Sequence, residues 1–319
     1  MKTGILKIFI LLVLINSVIC SQVPDTNFNK IELKQKEETA KYKVPLWLKS
    51  SNTIYEKPNP LYSKVDYWKL AGIGVITLGA GTAIHIYQAN AWWKEQGSKF
   101  RVINDWEYAL WIDKVGHFYG THLLGHAFSA GFEAANMDAE KSTIYAAAAA
   151  FAFQLYVEIE DGFGANWGFS PGDIVFDVLG SAYFLAQYYY PYLKNFQPRA
   201  SYYPSEQQRK GLRPDGNIID DYDGQKYWLA VRMKEVLPKS VAQYWPSFLM
   251  LSVGMGVKNI RTDRANARSD LYIAFDLDVE KLPLHGKFWQ FIKNTLNYLH
   301  FPMPGVRITS GVAFFGLVY

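Results

Sequence analysis

Acidic side chains recur at helical spacing inside strongly apolar sequence between residues 106 and 190. They fall into three groups: Asp113-Lys114-x-x-His117, Glu158-x-x-Asp161, and Ser170-x-x-Asp173-x-x-x-Asp177-x-x-Gly180. A carboxylate in such surroundings is costly unless it is paired, hydrogen-bonded or metal-bound. The three groups therefore ask for a common explanation, and a fold that brings them together supplies one.

The same region sets the expected architecture. Residues 67–93 form a first helix candidate, apolar or small from Leu70 to Ile84, with Gly72, Gly74, Gly79 and Gly81 suited to close helix approach. Trp68 and the Trp92-Trp93 pair resemble interface anchors, so a membrane span and a buried core helix fit this segment equally. Asn104-Asp105 can cap a second helix running to about Ala135, a third runs from about Ala139 to Glu160, and Ser170-Pro171 opens a fourth toward Tyr190. Short connections between them favour a four-helix antiparallel bundle, membrane-embedded or packed in protein, within residues 63–195.

Outside the bundle the chain reads in simpler pieces. Residues 1–20 carry Lys2 and Lys7 before an apolar run too short for an ordinary span, which predicts a signal peptide and export to the cell envelope. Cys20 is the only cysteine. Ile19 occupies the position where a lipidation motif usually has a small residue, so cleavage after Cys20 is expected ahead of lipidation. Residues 21–62 read as an exported linker and residues 196–224 as a second, polar linker. Residues 225–319 predict a small α+β domain: a helix at 225–237, extended segments at 248–257, 271–279 and 306–319, and an amphipathic helix at 287–299. The net charge of +4, without a dense basic stripe beside stacking aromatics, leaves nucleic-acid binding unsupported.

Asp113 and His117 are four residues apart and share a helix face with Thr121. Such a pair serves acid-base chemistry or one metal ion, and it also fits a helix-internal ion pair. His122 and His126 lie about half a turn away and are set aside. Glu158 and Asp161 oppose the dipole at the end of their helix, so helix stability does not explain them. Ser170 and Asp173 fit an N-terminal cap. Asp177 lies a turn deeper and requires a partner, for which Lys114 or His117 is the economical choice.

In this order the motifs resemble the YfiM-like family of predicted periplasmic lipoproteins of unknown function and, more distantly, VanZ-like membrane proteins. The resemblance covers residues 106–190 and carries over Asp113, Lys114, His117, Glu158, Asp161, Ser170, Asp173, Asp177 and Gly180. It implies an envelope location and supplies no established chemistry; the long C-terminal domain resembles extended members of the family in the Bacteroidota, which implies a Gram-negative source.

Two functions follow. The first is a structural or binding protein of the envelope, associated with membrane or envelope lipid, with a buried polar site. The alternative is a hydrolase of an envelope lipid or phosphoester. There Asp113, Glu158, Asp161 and Asp177 would hold a divalent cation, magnesium, manganese or calcium, and His117 would act as acid or base beside Asp113 and Lys114.

Overall fold

The computed structural model describes residues 64–93, 99–212, 217–260, 264–309 and 312–319. The expected signal peptide with Cys20, and the linker at 21–62, lie outside the described residues. The described chain is mainly helical, with an antiparallel sheet in its C-terminal part. Its long helices are α1 (Tyr67–Ala91), α2 (Ile112–Ala134), α3 (Ala139–Phe163) and α4 (Pro171–Tyr189).

Local chemistry sets most of these boundaries. The Asp66, Asp138 and Ser170 side chains accept from the backbone N–H groups of Lys69, Lys141 and Asp173, which caps α1, α3 and α4. The start of α2 departs from expectation. Asp105 does not cap it; a 3-10 turn at Tyr108–Trp111 intervenes, with Ala109, Leu110 and Trp111 all at positive φ. Three successive non-glycine residues in this region are strained, so surrounding contacts must hold the turn in place. Ala109 and Ile112 are packed with Tyr222 and Val257.

Contacts along the helices show each running antiparallel to the one before. Lys114, His117 and Phe118 on α2 meet Asp173, Asp177 and Gly180 on α4 in the same order, so those two helices are parallel, and α3 runs opposite between them. Gly180 is there because a Cβ would lie 2.2 Å from the Phe118 carbonyl oxygen. α1 lies against this trio at its two ends. Ile73 packs beside Ala130 and Ala134 of α2, while His85 is hydrogen-bonded to Tyr156 of α3.

The C-terminal part corrects several expectations. The stretch read as a linker at 196–224 opens with a strand, β1 (Phe196–Tyr202). The helix expected at 225–237 is a strand, β2 (Gln225–Val231), followed by a four-residue helix. The extended run at 306–319 is two paired strands, β5 (Met303–Thr309) and β6 (Val312–Val318). With β3 (Leu249–Lys258) and β4 (Arg268–Leu277) they make one six-stranded antiparallel sheet in the order β1-β2-β3-β4-β5-β6. The amphipathic helix is α5 (Lys287–Leu296), whose Phe291 packs on Ala130 and Ala134.

The sheet is curled. Tyr319, just past β6, lies 4.7 Å from Tyr203, just past β1, and the Lys226 ammonium of β2 stands over the Tyr319 ring. Strands spaced roughly 4.8 Å apart could not meet in this way across a flat six-stranded sheet. Asp221 and Asp223, just before β2, serve as backbone acceptors. Asp221 takes the Ser205 N–H, and Asp223 takes those of Asn259 and Ile260.

Candidate functional site

The three acidic groups converge where α2 begins, α3 ends and α4 begins. Lys114 is fully buried at the centre, its Nζ 2.8 Å from Asp105 Oδ2, 3.1 Å from Asp113 Oδ2 and 2.8 Å from Asp173 Oδ1. One turn along α2, His117 Nδ1 is 3.1 Å from Asp177 Oδ1. That same oxygen accepts from Thr121 Oγ1 at 2.8 Å and from Gln154 Nε2 at 3.3 Å. The other ring nitrogen, His117 Nε2, faces Glu158 Oε1 and Asp173 Oδ1, each at 3.7 Å, longer than a direct hydrogen bond.

The surrounding chain holds these groups in place. Glu158 Oε2 accepts from the Ser170 N–H at 3.0 Å, and the Ser170 hydroxyl donates to Asp105. Arg101 ties down the loop from α3 to α4 by donating to the Gly164 and Trp167 carbonyls at 2.8 and 2.6 Å. Trp93, at the end of α1, donates from Nε1 to Asp161 Oδ1 at 2.6 Å. Tyr222 reaches in from the C-terminal part and donates to Asp113 Oδ1 at 2.7 Å. Sequence reasoning missed Asp105 as a site residue because its position suggested a cap. Its only signal was an acidic residue beside Trp106, one short of the apolar run. Trp93 and Tyr222 carried no sequence signal of this role.

The cluster carries more negative than positive charge: six carboxylates, of Asp105, Asp113, Glu158, Asp161, Asp173 and Asp177, surround Lys114 and His117. Burial pushes Glu158 up to about 8, despite the opposing His117 charge, and lifts Asp161 and Asp173 to about 6. For His117, burial acts downward, but its Asp177 hydrogen bond and the charges of Asp177, Asp173 and Asp113 prevail, raising it well above the usual imidazole value. Burial would raise Asp113; His117, Lys114 and Tyr222 instead hold it below the usual carboxylate range. Asp177 Oδ2 is buried without a hydrogen-bond partner among the described residues.

These shifts fix a sign for pH dependence. Glu158 keeps its proton in the folded state while an unfolded glutamate loses it above about 4.5, so the native state binds more protons between there and about 8. His117 acts in the same direction, since stability from its raised pKa is lost as pH rises through the folded value. With a chelator present, denaturant midpoints should therefore fall from pH 5 to pH 8. Glu158→Gln should flatten that fall, and an unchanged slope would contradict the assignment.

Of the residues proposed from sequence as cation ligands, Asp113 belongs with His117 and Asp173 to a group whose ligand atoms lie within 4.8 Å of one another. Glu158 is engaged by the Ser170 N–H, Asp161 by Trp93, and Asp177 by His117 and Thr121. His122 and His126 turn elsewhere, to Gln187 and Thr295.

Residues 103–189, which include α2, α3 and α4, match a family described as predicted periplasmic lipoprotein (DUF2279). The match covers well under half of the chain. It agrees with an exported, envelope-associated location, which the amino-terminal sequence also indicates. No curated protein and no solved structure matches the chain.

Proposed function

We propose that this chain is a membrane-anchored envelope protein whose four-helix bundle binds a divalent cation in the buried site between α2, α3 and α4. The observation that carries this reading is the posture of His117. Asp177 holds the ring through Nδ1, and Nε2 faces Asp173 and Glu158 at distances too long for hydrogen bonds. A metal-binding imidazole is commonly oriented by a carboxylate on its other nitrogen. The surplus of buried carboxylates supplies a second reason for a cation, and an imidazole among carboxylates suits manganese. His117 is protonated without a ligand, so binding releases a proton and tightens as pH rises.

α1 supports the anchor. It is long and apolar enough to cross a membrane, its Val75 and Leu78 are more than two-thirds exposed, and Gly72, Gly74, Gly79 and Gly81 face no neighbour among the described residues. α3 passes the same length test, but a third of its apolar window is buried inside the protein, which fits a core helix. The motif likeness to YfiM-like and VanZ-like proteins points the same way.

Titration of the purified full chain with Mn²⁺ tests the site. Wild type should bind one ion with proton release, and Asp173→Asn and His117→Gln should lose binding while keeping their helical circular dichroism. Folded wild type that binds no manganese would sink the cation reading. Release of the protein from membranes by alkaline carbonate would sink the anchor.

A further inference from the structure

The sheet has its polarity reversed. Leu229, Val253, Ile273, Val306 and Phe315 are in register across β2 to β6 on one face. On the other face Arg199, Trp228, Gly254, Tyr272 and Arg307 are in register across β1 to β5. In a sheet packed in water the apolar row would be buried. Here Arg199 is 0% exposed, Trp228 4% and Tyr272 3%, while Val253 is 51% exposed and Phe315 83%. The inward face holds the ion pair of Arg199 with Asp276 at 2.8 Å, and Asp276 also bonds to His300 at 2.8 Å and to Ser252 at 2.9 Å. His300 is stacked on Trp228. Apolar side chains outward and charged pairs inward is the arrangement of a sheet whose outer solvent is lipid.

The surface charge of this half fits the same solvent. Asp221, Asp270, Asp276 and Asp278 are buried, whereas Arg209, Lys210, Lys234, Lys239 and Lys281 are exposed against Glu206 and Glu235 among the described residues. Lys210 pairs with Glu206 and Lys281 with Glu235, which leaves Arg209, Lys234 and Lys239 as an exposed cationic excess on this half that complements anionic headgroups. The outward row carries no hydrogen-bonding side chain, where protein interfaces have about one hydrogen bond per 100–200 Å². β3 and β4 have ten residues each, but β1, β2, β5 and β6 have seven, shorter than the roughly 9–11 that a membrane-spanning strand needs, so the sheet as a whole is too short to span.

We infer that the exposed row on the outward face of the sheet, from Leu229 to Phe315, is a second membrane contact, seated in the acyl layer of one leaflet that contains anionic lipid; the end of that face nearer α2 packs on the helices through Tyr227 and Val257. This contact is separate from the α1 anchor and from the cation site. The full chain, in a Cys20→Ser background, would be reconstituted into phosphatidylethanolamine–phosphatidylglycerol vesicles with an environment-sensitive dye at Phe315→Cys or, separately, Ile273→Cys. The dye at both sheet positions should shift to the blue and be quenched by lipids brominated on their acyl chains. A dye at Leu78→Cys reports on α1 in parallel. Quenching at residue 78 with aqueous emission at 315 and 273 would overturn the sheet contact and leave the anchor standing. Aqueous emission at all three positions would overturn both. Crosslinking between Phe315→Cys copies that grows with protein density, without quenching by brominated lipid, would assign the face to a second copy of the chain and also overturn the inference.

Discussion

Replacing Lys114 with Met is expected to destabilise the protein by about 3–5 kcal/mol, the usual cost of removing one partner from a buried ionic cluster. The substitution keeps most of the stem's volume and removes a fully buried ammonium that lies within 3.1 Å of three carboxylates. Asp105, Asp113 and Asp173 would then be left with His117 as their nearest buried cation. The loss should be greatest at alkaline pH, where Asp173 is ionised, and should shrink as pH falls through about 6 and that carboxylate takes up its proton. Urea unfolding across that range reads both effects. Equal stability of Lys114→Met and wild type at pH 8 would mean that the carboxylates are solvated rather than held by the lysine.

A comparable loss, again about 3–5 kcal/mol, is expected for Arg199→Met in the sheet interior. Arg199 is wholly buried and donates to Asp276, to the Leu277 carbonyl at 2.9 Å and to Asn297. It therefore joins β1 to β4 and to the segment after α5, which the curl of the sheet brings together. Asp276→Asn in the same background should recover part of the loss, because it removes the carboxylate left without its guanidinium. A double-mutant cycle measures that recovery, and strict additivity would show that the pair is not coupled.

The helical half was legible because its signals are local. Asp138, Ser170 and Pro171 stand at helix starts, and the spacing of Asp113 to His117 and of Asp173 to Asp177 places each pair on one helix face. Spacing left Lys114 and His117 both open as the partner of Asp177, and the fold puts His117 there. What was missed depended on distant chain. Asp105 looks like a cap until the strained turn at 109–111 delays the helix and releases it to Lys114. The sheet was harder to read for a different reason. In β2, outward Tyr227, Leu229 and Val231 alternate with inward Trp228 and Ala230, so both faces are apolar and the period-two signal vanishes. In β1 the alternation exists but is inverted, with Gln197 and Arg199 inward, and Pro198 makes the segment read as a linker, although proline is tolerated on an edge strand.

Trp93 joins the first helix to the polar cluster. It closes α1 and donates its indole N–H to Asp161, so the seating of that helix and the ionisation of that carboxylate are thermodynamically linked. Linkage is reciprocal: whatever free energy a change at Asp161 adds to the docking of α1, a displacement of α1 returns to the proton affinity of Asp161. A membrane that tilts or draws off the first helix would thereby change the charge of the polar cluster without touching any other residue in it.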